Sequence, residues 1–192
     1  MSDLDSKQAM PKLPRLQFGF ALVAFVFVSQ IVWGAQRALH PYLREAGGYA
    51  AAASIMGELF LGAYLLYCIS VYHHAVSQVE GWRHPITPRR AVRFHFIPVF
   101  NIYWNYKWPG ELARFVNWRT QRRRMSGVLV GTVVLLGFLV GGLLDASLGA
   151  VIVLCAFAYV SRCLRDAFAA PHVPTELHGT SGLDAAALPT QD

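Results

Sequence analysis

The chain has 192 residues, 55% of them hydrophobic and 15% charged, with a formal net charge of +6. Soluble domains carry charge on roughly a quarter of their residues, so this balance argues against an ordinary water-soluble globule. The basic residues sit between and beside apolar runs rather than in a folded soluble domain, which argues against nucleic acid as a partner and for anionic lipid headgroups.

Residues 1–15 form a polar segment containing Lys7, Lys12 and Arg15. Near-continuous apolar runs follow at about 16–33, 51–72, 126–144 and 146–161. The first three have the roughly 17 to 25 residues with which a helix crosses about 30 Å of hydrocarbon. The fourth is shorter, and Arg162 extends it because a long basic side chain reaches the headgroups from a submerged backbone. The first run follows a basic start, as a signal peptide does, but its length and Trp33 before Gly34 and Ala35 favour a retained helix. Cys68 and Cys155 fall inside runs and Cys163 just beyond one, so packed, reduced thiols are expected rather than disulfides.

Lysine and arginine orient the runs, since basic connections stay on the cytoplasmic side. Residues 1–15 hold three, 73–125 hold ten and the tail from 161 holds two, whereas the connection between the first two runs has only Arg37 and Arg44. The predicted fold class is an all-α membrane protein: four transmembrane helices as two antiparallel hairpins within residues 16–165, both termini cytoplasmic. The cytoplasmic tail, 166–192, carries Pro171, Pro174, Gly179, Gly182 and Pro189 without apolar periodicity, so disorder is expected from about residue 171.

Between the second and third runs, residues 94–119 are aromatic and apolar but interrupted by Pro98, Asn101, Asn105, Lys107 and Pro109. A crossing here would put Arg89, Arg90 and Arg93 on one side and Arg122–Arg124 on the other, dragging one cluster through lipid. Tyr103, Trp104, Tyr106 and Trp108 favour the headgroup level. An interfacial or re-entrant element that returns to its own leaflet is therefore predicted. Breaks are expected at Pro98 and at Trp108-Pro109-Gly110, with a new helix from Pro109 that buries Leu112, Phe115 and Val116 and turns Glu111, Arg114 and Arg119 away. Arg114 is placed to stack on Trp118. Asn101, Tyr103, Trp104, Asn105, Trp108, Arg114 and Trp118 are the candidate partner or lipid interface.

The third run carries Gly127, Gly131, Gly137 and Gly141 as two G-x-x-x-G spacings, which let helix backbones approach closely in lipid. The fourth run, joined by a short turn, is the expected partner for both; homodimerisation through the same glycines is the alternative. One ionisable residue stands inside a run: Glu58, roughly 10 Å below the outer edge. With Ser54 on its own helix and Gln30 or Ser29 on the first, it forms a candidate intramembrane polar site. It reads either as a helix-joining carboxyl or as the centre of a proton- or cation-coupled transporter. His73, His74, Glu80, His84 and His95 show no H-x-x-x-H or C-x-x-C spacing, so no metal and no cofactor are expected. No Walker loop or G-x-S-x-G occurs, no catalytic residue stands out, and an enzyme is not expected.

Phe96-Ile-Pro-Val-Phe-Asn-Ile-Tyr-Trp-Asn105, followed by Trp108-Pro-Gly-Glu-Leu-Ala-Arg-Phe-Val-Asn117, resembles a Phe-Ile-Pro-x-x-Asn-x-Tyr-Trp segment of uncharacterised bacterial multi-pass membrane proteins, a domain of unknown function. The resemblance implies an architecture and a bacterial inner-membrane location, with no activity attached. The expected role is an accessory or scaffold subunit that presents 94–119 to lipid or to a membrane-protein complex, with Glu58-based transport as its rival.

Overall fold

A computed structural model describes residues 11–39 and 44–170, with side chains between 37 and 47 left aside. The expected disorder from about 171 and most of the N-terminal segment lie outside the described residues. Within them the protein is all-helical: α1 Gln17–Leu39, α2 Arg44–Ser77, α3 Pro88–Arg93, a 3-10 turn Phe94–Phe96, α4 Pro98–Thr120, α5 Gly127–Leu143 and α6 Ala146–Ala169. Three of these hold segments long and apolar enough to cross a membrane, Gln17–Gln36, Gly48–Ser77 and Ala146–Ala169. α5 is equally apolar but has 17 residues.

Local chemistry sets the helix starts. Ser126 Oγ accepts from Leu129 N–H at 3.3 Å to open α5, and Asp145 Oδ1 accepts from Leu148 N–H at 2.8 Å to open α6. Thr87 Oγ1 does the same for Arg90 N–H at 3.4 Å, with Pro88 at the first position of α3. Pro98 likewise begins α4 after an extended Ile97, while Gln121, at φ 49°, ends it in the left-handed region. Asn117 then pins the connection to α5: its Oδ1 accepts from Arg124 and Met125 N–H at 2.8 and 3.0 Å, and its Nδ2 donates to Met125 O at 2.9 Å.

The break expected at Trp108-Pro109-Gly110 does not occur; α4 runs unbroken through Pro109. Proline takes away the N–H that would bond Asn105 O, and that carbonyl lies against the backbone of α5, where a Cβ on Gly131 would come within 2.7 Å of it. A glycine Cα–H is the only group small enough to cover it. Gly127 sits one turn away against Gly110, so α4 and α5 pack antiparallel through glycine. Thus the partner of the 127/131 pair is α4, a correction to the expectation that both pairs meet the last helix. Gly137 does meet α6: its Cβ would lie 2.6 Å from Val153 Cγ2 and 2.9 Å from Gly149 O, and Gly141 faces Gly149 as well.

The core gathers where α4 crosses α2 and α6, around Tyr72, Trp108, Leu112, Phe115, Phe157 and Leu164. Tyr72 OH donates to Phe157 O at 3.2 Å, which leaves the Ser161 hydroxyl to donate to Tyr72 at 2.6 Å. α6 outlasts its expected end at 161 because Val160, Leu164 and Ala167 continue the buried stripe of Val153 and Phe157 at helical spacing. In contrast, Phe18, Phe25, Phe27 and Ile31 of α1 and Ile55, Leu59 and Phe60 of α2 point outward.

Candidate functional site

Polar side chains converge in three places. The first joins α1, α2 and α6. Glu58 Oε1 accepts from Gln30 Nε2 and from Ser54 Oγ, each at 3.4 Å, and Gln30 Oε1 accepts from Ser147 Oγ at 2.7 Å. The structure thus unites the three residues singled out in the sequence. Ser29 stays apart, donating to Phe25 O of its own helix at 2.8 Å. Ser147 had no sequence signal beyond its place at the last turn; its pairing with a residue 117 positions earlier is purely tertiary.

The second place is the elbow between α3 and α4. Ala91 O accepts both the Trp104 indole N–H at 2.9 Å and His95 Nδ1 at 2.8 Å, fastening α3 to α4 across the turn. A carbonyl only accepts, so the His95 proton resides on Nδ1 and its Nε2 is a bare acceptor, buried and without a protein partner. Asn105 Nδ2 donates to Asn101 Oδ1 at 3.3 Å, and Asn105 Oδ1 is a second buried acceptor without a partner. His95, Asn101 and Asn105 line a cavity of about 210 Å³ whose remaining wall is apolar, drawn from Phe96 and from α2, α5 and α6. Phe94, Phe100, Tyr103 and Trp104 pack ring against ring beside it.

The third place lies beneath α4. His73 Nδ1 and His84 Nε2 are 2.6 Å apart, and the Trp82 indole N–H points at His84 Nδ1 from 3.4 Å. Because indole only donates, His84 carries its proton on Nε2 and passes it toward His73, whose own proton lies on its buried Nε2. Glu111, 2% exposed, is held by Lys107 Nζ at 2.7 Å and Arg114 Nη1 at 3.1 Å. Its burial corrects the expectation that Glu111 and Arg119 point away from the core; Arg119 is buried too. Arg114 serves this carboxylate, and Trp118 packs on Trp82 with ring centroids 5.1 Å apart, in place of the Arg114–Trp118 stack. Among the described residues no three of His, Cys, Asp or Glu gather to hold a metal.

Burial lowers the His84 imidazole below its ordinary value, and the Glu111 carboxylate opposes this in part. The unfolded chain therefore binds the His84 proton more readily, so the stability this residue confers is complete above about pH 6.5 and is lost as pH falls toward the folded value. Thermal unfolding in detergent should move to lower temperature on acidification below about pH 6.5. The slope should shrink in His84→Phe.

The interface residues divide between inside and outside. Trp104, Asn105 and Trp108 are buried, Asn101 and Trp118 half-buried, and Tyr103 and Arg114 exposed. The outer face of the segment is instead made by Phe96, Ile97, Val99, Ile102 and Tyr103, with Val99 85% exposed. Arg90, Arg93, Phe94 and Ile97 frame an open depression of about 310 Å³ beside it. No protein-family model, curated protein or solved structure matches the chain.

Proposed function

We propose that the protein is a bacterial inner-membrane protein of four spans in two antiparallel hairpins, both termini cytoplasmic. In this reading it acts as a non-enzymatic accessory subunit that binds anionic phospholipid through a re-entrant α3–α4 hairpin. The apolar outward faces of α1, α2, α5 and α6 support the four spans, since lipid accepts such surface and water does not. Re-entry is supported by packing: α4 runs antiparallel to α5, and its start shares a cavity with Phe138. Phe138 stands eleven residues beyond Gly127, or roughly 16 Å, about half the hydrocarbon thickness.

The observation that carries the lipid reading is the pairing of Arg90 and Arg93 with Phe94 and Ile97 around one depression, guanidinium beside hydrocarbon. A headgroup phosphate suits the first pair and acyl chains the second, with Arg side chains reaching up from a submerged α3. Each basic residue contributes about 1 kcal/mol near an anionic surface. Arg90→Gln/Arg93→Gln is therefore expected to weaken retention of phosphatidylglycerol roughly thirtyfold by native mass spectrometry, with phosphatidylcholine unaffected. Equal retention by both proteins defeats the reading.

Proton- or cation-coupled transport at Glu58 is the second reading, favoured by a polar chain in which Gln30 of α1 joins the Glu58 carboxylate of α2 to Ser147 of α6. Proteoliposomes containing the protein should then dissipate a pH gradient faster than empty ones. Glu58→Gln should assemble normally and abolish that flux.

A further inference from the structure

The cavity bounded by His95, Asn101 and Asn105 has a chemical polarity of its own. Its walls are apolar apart from His95, Asn101 and Asn105, and two atoms of these residues, His95 Nε2 and Asn105 Oδ1, are buried acceptors without a partner. Asn105 is 1% exposed, so its carbonyl oxygen has given up water without gaining a partner, a deficit that a ligand donor would relieve. No lysine or arginine lines the cavity to balance an anion, and two acceptors repel one. Gly62 and Phe138, both exposed, lie on its rim, one on α2 and one on α5. At about 210 Å³ it exceeds the roughly 150 Å³ apolar cavity that admits benzene.

We propose that this cavity binds a neutral lipid with a hydroxyl-bearing head, the class of a monoacylglycerol, whose O–H groups donate to His95 Nε2 and Asn105 Oδ1 while its chain leaves between Gly62 and Phe138. The site is separate from the Arg90/Arg93 depression and from Glu58; it shares with the proposed function only the assumption that the rim faces hydrocarbon. The head must donate, so a dimethyl ether of the same lipid has nothing to offer the two acceptors. A fatty acid anion of the same chain length is excluded by charge.

The test uses the full chain in nanodiscs and a monoacylglycerol with a photoreactive diazirine in its acyl chain. Labelling is expected in α2 and α5 peptides that contain Leu66 and Phe138, with competition by unlabelled monoacylglycerol and at least tenfold weaker competition by its dimethyl ether and by the fatty acid. Gly62→Phe, which puts a ring on the rim, should block labelling, and a Cβ at Gly62 meets nothing within 4 Å, so the substitution is made without displacing backbone. Asn105→Leu should cut labelling at least tenfold while changing the unfolding temperature little, because it removes one unpaired acceptor together with one hydrogen bond of 3.3 Å to Asn101. A residue that only supported the fold would give the reverse pattern. Equal competition by the ether, labelling that survives Gly62→Phe, or a destabilised Asn105→Leu that still labels would each overturn the proposal. Loss of phosphatidylglycerol retention in Arg90→Gln/Arg93→Gln leaves these outcomes unchanged, so the two readings fail separately.

Discussion

Trp108→Ala is expected to destabilise the protein by about 3–5 kcal/mol, the range for removing a large aromatic side chain from a close-packed interior. Trp108 is wholly buried, with Phe157 of α6 at 5.6 Å and His73 of α2 at 6.3 Å between ring centroids. Its loss opens a void where α2, α4 and α6 meet. The buried Cys68 and Cys163 supply the readout, since their thiols should react with maleimide far sooner in the variant as urea rises. Trp108→Phe should be much milder: it keeps most of the ring and deletes an indole N–H that has no partner. Equal damage from both substitutions would place the importance of Trp108 in its N–H rather than its volume.

Gly131→Leu is expected to have the second largest effect. Any Cβ at Gly131 comes within 2.7 Å of Asn105 O and of Tyr106 Cδ1, and the first of these is backbone that cannot rotate aside. Overpacking of this kind costs about 1–3 kcal/mol, and here it also uncovers the carbonyl that Pro109 leaves unbonded. Gly142→Leu is the matched control, because a Cβ there meets nothing within 4 Å. Its unfolding free energy should differ from the parent's by less than about 0.5 kcal/mol. Similar losses in both variants would show that α5 tolerates no added bulk anywhere and would remove the special place of the α4 contact.

The sequence makes some of this legible and hides the rest for identifiable reasons. Apolar run length locates α1, α2, α5 and α6 because lipid-compatible helices must be continuous. Glu58, Ser54 and Gln30 are recognisable because a carboxylate in such a run needs polar company within a turn or on the neighbouring helix. Pro109 misleads, since the local rule counts the bond it removes but not the glycine backbone of α5 that covers the deficit. Lys107, Glu111 and Arg114 stand at spacings that pair along a helix, yet only the packing of α4 reveals that Glu111 is the buried member. The His73–His84 contact crosses eleven positions and a turn, so no motif announces it. Trp104 and Trp108 carry an amphipathic signal that suits a headgroup belt and a protein interior equally, and the hydrogen bond from Trp104 to Ala91 O decides for the interior.

The glycine contact between α4 and α5 also bears on how the chain is made. Under the proposed topology, residues 98–109 leave the ribosome before Gly131, and until α5 arrives Asn105 O has no neighbour but water or lipid. The segment is therefore expected to wait at the cytoplasmic surface and to enter the bilayer together with α5, as one two-helix unit inserted after the first hairpin is in place. Chains truncated before Gly127 and released from the ribosome should leave residue 103 open to a membrane-impermeant reagent from the cytoplasmic side, and the full chain should close it.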